Sequence, residues 1–340
     1  SRDDITVVVC SSEQHMIYDF LDKWRAIDPD VVTTWNGVLF DMPYIVNRIV
    51  RLLGVETARK LSPFERLSTS TFTLYGRERN RVDFCGIATL DYLDVYKKFK
   101  MKMQENYKLD TIAEVELGKK KLAYEGPMHQ LYKDNFSRWT AYNIQDVYLL
   151  VALEEQLQYL AMCYQIAYMT KVRLDDIFSS VRMWDVMINN YLVNECKVQG
   201  PFRKQSSSKD TSYEGAHVKD PIRGFHRWVC SFDLASLYPS LIMQYNIGPE
   251  TLIGDRPVPM TPDDVIDQTP TYQQAYDQAV QLDGTLAGNG AIYSRQSEGF
   301  MSVLMGRMFA TRKAVKRQML DVEGEIEQIE AELHKRGDVT

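Results

Sequence analysis

Two short β-branched runs, with helical patterning between and after them, constrain the fold of this chain most. Residues 5–10 read ITVVVC and residues 31–35 read VVTTW, each short and branched enough for a buried strand. Between them Met16, Ile17, Phe20, Leu21 and Trp24 fall on one helical face. Asn36-Gly37 ends the second run, and residues 43–53 read as a helix. Strand, helix, strand, helix in that order predicts an α/β layer. Residues 67–85 predict a hairpin, with strands around 71–75 and 82–85 joined by the polar turn GRERN at 76–80. Helices are predicted over 90–99 and 109–117, and a long helical region over 137–167.

The remainder divides by composition. Residues 203–212, RKQSSSKDTS, are polar and predict a linker or exposed loop. Residues 263–283 are polar and Gln-rich and predict a surface excursion. From about Gly299 the chain reads as helix, and Val322, Ile326, Ile329 and Leu333 recur at heptad spacing. A length of 340 residues, 45% of them hydrophobic, predicts two or three domains. Ser at position 1, with a strand-like run starting at Ile5, predicts a piece of a longer chain. The five cysteines are scattered without a CxxC pair, which argues against a zinc site or a disulfide framework and fits a reducing compartment. No apolar run reaches membrane-spanning length, and no signal peptide is present. The net charge of −6 counts against nucleic-acid binding when taken alone, but it can conceal local basic patches.

Four constellations carry chemistry. In NGVLFDMP, residues 36–43, Asp41 follows the turn that ends a strand, a position that also suits a helix N-cap. In YNIQD, Tyr142 and Asp146 stand four apart on one helix face, where an ordinary surface pair is the plainer reading. The apolar run Trp228, Val229, Cys230 and Phe232 predicts a strand, and the string SFDLASLYPSL, residues 231–241, sets Asp233 at that strand's end, before a tight turn. That arrangement suits a divalent cation that must also touch a phosphate chain. The backbone N–H groups of Ser236, Leu237 and Tyr238 lie where a turn enters a helix, a natural phosphate cradle. In FATRKAVKR, residues 309–317, Arg312, Lys313, Lys316 and Arg317 cluster on one helix face, with Arg307 a turn earlier. A solvated charge face is the usual meaning of such a cluster, and a guanidinium there would also suit a triphosphate.

Together these motifs resemble family B DNA polymerases. FDLASLYPS resembles the family's motif A, DxxSLYPS; the segments around Asp41 and Tyr142–Asp146 resemble its Exo II and Exo III motifs. WNGVLFDMPYIVNRI, DYLDVYKKF, YNIQDVYLL and NIGPETL look like the T-even-bacteriophage branch. The resemblance implies an RNase H-like 3′→5′ exonuclease domain at 1–158 and a connecting segment of the N-terminal domain at 159–204. It further implies the first part of an α+β palm at 205–298 and the start of a helical fingers domain at 299–340. It implies two-metal Mg²⁺ sites, with Mn²⁺ as a substitute, and metal ions about 3.5–4 Å apart. Asp41 and Asp146 would be exonuclease metal ligands and Tyr142 would orient the attacking water. Asp233 would hold the polymerase metals, aided by the backbone carbonyl of Leu234. Tyr238 would exclude a 2′-hydroxyl, and Arg312 would grip the nucleotide phosphates. Tyr213 and Gly215, in YEGA at 213–216, resemble the YxGG/A loop that contacts template DNA, although a plain turn is the simpler reading of four residues. The hairpin matches one this branch uses to part the primer during editing.

The implied partners are primer-template DNA, dNTPs, a sliding clamp and other replisome proteins, and the implied location is the cytoplasm of an infected bacterial host. The family's Exo I motif should lie upstream of Ser1; Asp3 and Asp4 do not sit inside an apolar strand and do not take its role. Its Kx₃NSxYG and YxDTD motifs should follow Thr340. Two other readings stay open: a non-catalytic piece of a split polymerase that needs a second polypeptide, and a stand-alone DEDD-type nuclease.

Overall fold

The computed structural model describes residues 5–74, 77–119, 126–199, 220–234, 236–254 and 258–336. It divides into two compact units, Ser1–Val186 and Met187–Thr340. Each mixes helix and sheet.

The first unit opens with α1 (Glu13–Ile27), capped by Ser12, whose side chain accepts from the His15 N–H. It continues through β1 (Val31–Thr34), α2 (Asp41–Leu53) and α3 (Val55–Arg59) to a long hairpin, β2 (Leu67–Leu74) with β3 (Arg77–Phe84). Next come β4 (Ala88–Asp91), α4 (Tyr92–Phe99), α5 (Leu109–Leu117), α6 (Met128–Asp134), α7 (Phe136–Leu157) and α8 (Tyr159–Thr170). A 3₁₀ turn (Leu174–Phe178) leads into α9 (Ser180–Asn194), within which the first unit ends at Val186. β1 and β4 pair in parallel, Val31 opposite Ala88 and Thr34 opposite Asp91. This pairing brings the loop after β1 beside the first turn of α4.

The core lies around that pair. On one side Ile17, Leu21, Val46, Ile49 and Leu61 are buried together. On the other, Tyr92, Tyr96, Ile112, Leu149 and Leu153 join α4, α5 and α7, with Trp35 packed against them. Leu90, Val95, Cys163 and Ile177 form a third cluster, through which α8 and the 3₁₀ turn pack on β4 and α4. Each fully buried large side chain contributes roughly 1.5–3 kcal/mol. Burial pushes the Cys163 thiol up to about 11, which marks it as an inert packing residue.

The second unit contains α10 (Leu237–Tyr245), β5 (Leu252–Ile253), α11 (Pro262–Ile266), α12 (Pro270–Gln281), β6 (Gly284–Leu286), β7 (Ile292–Ser294) and α13 (Phe300–Arg336). β7 is the central strand of a small antiparallel sheet between β5 and β6. Residues 246–252, NIGPETL, tie this sheet to two helices. Asn246 ends α10 in a left-handed conformation, and its amide donates to the carbonyls of Ser294 and Ser297, 2.8 Å each. Its Oδ1 accepts from Gly299 N at 2.8 Å, and Glu250 accepts from Phe300 N at 2.6 Å. One short segment therefore anchors the N-terminus of α13.

Several expectations are corrected. Residues 5–10 and 228–232 are not strands: Val7, Val9, Trp228 and Phe232 are strongly exposed, and no described strand pairs with either run. A strand needs a neighbour for its N–H and C=O groups, and branched composition alone does not provide one. Residues 77–80 continue β3 rather than forming the hairpin turn, because the register closes at Leu74 opposite Arg77. The turn at 75–76 lies outside the described residues. Leu90 and Asp91 belong to β4, not to the following helix. The helical region over 137–167 breaks at Gln158, which is left-handed at φ 54°. The excursion at 263–283 is not merely surface, since Ala275 and Ala279 of α12 are buried. The expected linker over 203–212 lies outside the described residues.

Candidate active site

An open cleft of about 1190 Å³ in the first unit gathers Asp41, Tyr142 and Asp146 from separate parts of the sequence. Thr34, Asn36, Asp110 and Asn143 also line it. Three local devices build this convergence.

The first is the turn after β1. Asn36 takes the left-handed conformation at φ 65°, which asparagine tolerates. Gly37 is buried, and a Cβ there would lie 2.8 Å from Asp41 Oδ2 and would collide with the Thr34 side chain. Only glycine lets that carboxylate and Thr34 approach so closely. Thr34 Oγ1 is buried at this point with no hydrogen-bond partner among the described residues.

The second device is Asp91, at the end of β4. Its buried carboxylate accepts from Asn36 N at 2.8 Å, from Val38 N at 3.2 Å and from Leu93 N at 3.0 Å. It thus caps α4 and pins the turn that precedes Asp41. Burial raises its pKa, against the three N–H groups that favour the ionised form.

The third device is the opening of α2. Asp41 is the first helical residue, and the capping position falls to Phe40, which makes no side-chain cap bond. The Asp41 carboxylate is thus not consumed as a cap. Burial raises its pKa, partly offset by its own N–H.

Tyr142 and Asp146 approach the cleft from α7 and are half-buried. Trp35, at the end of β1, packs against Tyr92 and Tyr96 at ring distances of 6.3 and 6.1 Å. Its indole N–H donates to the Tyr107 carbonyl at 3.2 Å, which fixes the wall between α4 and α5.

Asp41 and Asp146 both line one solvent-open cleft, and carboxylates are the ligands a magnesium-type ion takes. Such an ion takes one or two protein acids and fills its other positions with water and substrate phosphate. Among the described residues no group of three or more His, Cys, Asp or Glu side chains comes together as a metal site.

The other predicted residues lie in the second unit. Asp233 sits in an irregular exposed segment three residues before Ser236, which is left-handed at φ 54° and starts α10. Leu234 and Tyr238 are exposed. Ser236, at the N-cap of α10, makes no side-chain cap bond to the first N–H groups of that helix. Arg312 is exposed on α13. Arg307, by contrast, is engaged: its guanidinium grips Glu195 at 2.6 and 2.7 Å and lies over the Tyr191 ring. Tyr213 and Gly215 lie outside the described residues.

Sequence reasoning missed Asp91, Gly37 and Thr34. For Asp91 a signal existed, since an acid between an apolar strand and a helical run is a capping pattern.

Residues 1–112 match the family described as DNA polymerase family B, exonuclease domain, and residues 178–334 match DNA polymerase family B. The DNA-directed DNA polymerase of Escherichia phage RB69 is 34% identical over 333 residues, which is 98% of this chain and 36% of that relative. That of Enterobacteria phage T4 is 32% identical over 96% of this chain and 35% of its own length. The DNA polymerase delta catalytic subunit of Drosophila melanogaster is 27% identical over 92% of this chain and 29% of its own. The chain thus spans about a third of the length of these curated relatives.

Proposed function

The chain belongs to DNA polymerase family B, and from that premise we propose that it carries part of a DNA-directed DNA polymerase and part of its 3′→5′ editing exonuclease. The observation that carries the editing half is the single cleft that receives Asp41, Tyr142 and Asp146. Residues 1–158 would be the exonuclease domain, of RNase H-like type, and 159–204 a connecting segment. Residues 205–298 would be the first part of the palm, and 299–340 the start of the fingers.

In the cleft, Asp41 and Asp146 would hold Mg²⁺ or Mn²⁺ beside the terminal phosphodiester of a primer strand. The bound ion would supply charge to the attacking water and to the leaving oxygen. Tyr142 would orient that water from the same helix face as Asp146. Gly37 and Asp91 act earlier, by fixing where the Asp41 carboxylate can lie.

In the second unit, Asp233 and the Leu234 carbonyl would hold the ion that serves nucleotidyl transfer. The N–H groups of Ser236, Leu237 and Tyr238 would receive the triphosphate, and Arg312 would bind it bidentately. Tyr238 would sit against the deoxyribose and refuse a 2′-hydroxyl. Primer-template DNA and dNTPs are the substrates on this reading, Tyr213 and Gly215 would touch template, and a sliding clamp would be a partner. The site of action would be the infected host's cytoplasm. No helix among the described residues is long and apolar enough to cross a membrane.

The test separates the two chemistries in the polymerase that carries these residues. Asp233→Ala should abolish primer extension and leave mismatch removal intact, and equal loss of both would refute separate sites.

A further inference from the structure

We propose that an exposed aromatic cluster on α6 and α7 is a stacking platform for the bases of the single strand entering the cleft. The inference rests on the exonuclease reading given above.

Tyr132, Phe136 and Trp139 form a closed trio. Tyr132 meets Phe136 edge-on at 5.6 Å and Trp139 edge-on at 5.2 Å, and Phe136 stacks on Trp139 at 5.7 Å and 21°. Such a trio normally fills a core, yet Tyr132 is 51% exposed and Phe136 55%, and Trp139 is only half-buried. Exposing aromatic area has a free-energy cost, and contiguous exposed patches mark binding surfaces.

Position identifies the occupant. Trp139 and Asp146 are seven residues apart on α7, within about 20° of each other around the axis and about 10 Å along it. Tyr142 stands between them. The trio therefore continues the stripe that supplies the cleft with Tyr142 and Asp146, and it lies toward the N-terminus of α7. A strand whose 3′ end reaches Asp41 and Asp146 would run its preceding nucleotides over this surface. Lys133 is exposed beside the trio and brings a cation to it. Aromatic faces flanked by cations are the chemistry of sequence-tolerant single-strand binding, because every base has a π-face. A duplex, whose bases are already stacked, gains nothing from such a surface.

The test measures binding of a 5′-labelled oligothymidylate by the full chain, by fluorescence anisotropy in EDTA, with a duplex of equal length as the comparison. Trp139→Ala should weaken single-strand binding about tenfold, with duplex binding unchanged. Trp139→Phe, which keeps a stacking face, should restore most of the affinity. Oligonucleotide should quench wild-type tryptophan emission more than that of Trp139→Phe. The platform is overturned if Trp139→Ala binds as tightly as wild type, if both nucleic acids lose affinity equally, or if wild type binds no oligonucleotide. It is likewise overturned if the alanine variant changes only self-association, which would make the trio a protein contact. Because the assay needs no cleavage, failure of the exonuclease reading would appear separately, as absence of metal-dependent hydrolysis by the polymerase that carries these residues.

Discussion

Gly37, Asp41 and Asp91 show how individual residues set the chemistry. A methyl group at position 37 would strike both the Asp41 carboxylate and Thr34. Gly37→Ala should therefore cost about 1–3 kcal/mol in thermal unfolding, as overpacking does. On the proposed function it should also slow editing, because the carboxylate must move; wild-type stability with wild-type editing would refute the crowding argument. Asp91→Ala strips two loop N–H groups and a helix cap of their acceptor, a loss of about 2–5 kcal/mol. Denaturant melts measure it. The raised Asp41 pKa gives a signed prediction. An acid whose folded pKa is raised favours folding below its unfolded pKa and loses that contribution as pH rises through the folded value. In EDTA near neutral pH, Asp41→Asn should melt at or above the wild-type temperature, with any gain vanishing in acid.

Elements were legible where a pattern carried its own partner. α5 falls on residues 109–117 as the apolar spacing predicts, and α1, β1 and α2 follow the strand–helix alternation. Legibility failed where an element depends on a neighbour. Residues 5–10 and 228–232 have strand composition but no described strand beside them, so their apolar side chains stay exposed. Composition records what a side chain prefers, whereas a ladder requires a second backbone at the right place. The hairpin failed differently: Arg77–Asn80 look like turn residues, yet antiparallel register carries the ribbon through them. In the second unit, NIGPETL acts as a joint, with Asn246 and Glu250 holding the start of α13. Asn246→Ala should lower stability by about 1–3 kcal/mol, because the Gly299 N–H and two carbonyls lose their partner. Differential scanning calorimetry decides it, and an unchanged melting temperature would mean that Glu250 alone suffices.

Across the whole molecule, the candidate site was legible as residue identities and illegible as support. Asp41 and Tyr142–Asp146 lie about a hundred residues apart in sequence, and the fold brings them to one cleft. The parallel pairing of β1 with β4, which sets the α2 turn beside α4, could not be read from either strand alone. On the proposed function, Tyr238→Ala should erode dNTP over NTP selection by about tenfold or more in single-nucleotide insertion. Unchanged selection would remove its role as a sugar gate.

The most direct test of the central claim is removal of a mismatched 3′ nucleotide by the polymerase that carries these residues, with and without Mg²⁺. Asp41→Ala and Asp146→Ala should each slow it by about a hundredfold or more, the upper end of what perturbing a metal's outer partners causes, and should spare primer extension. Mismatch removal at the wild-type rate in either variant would contradict the assignment of this cleft as the editing site.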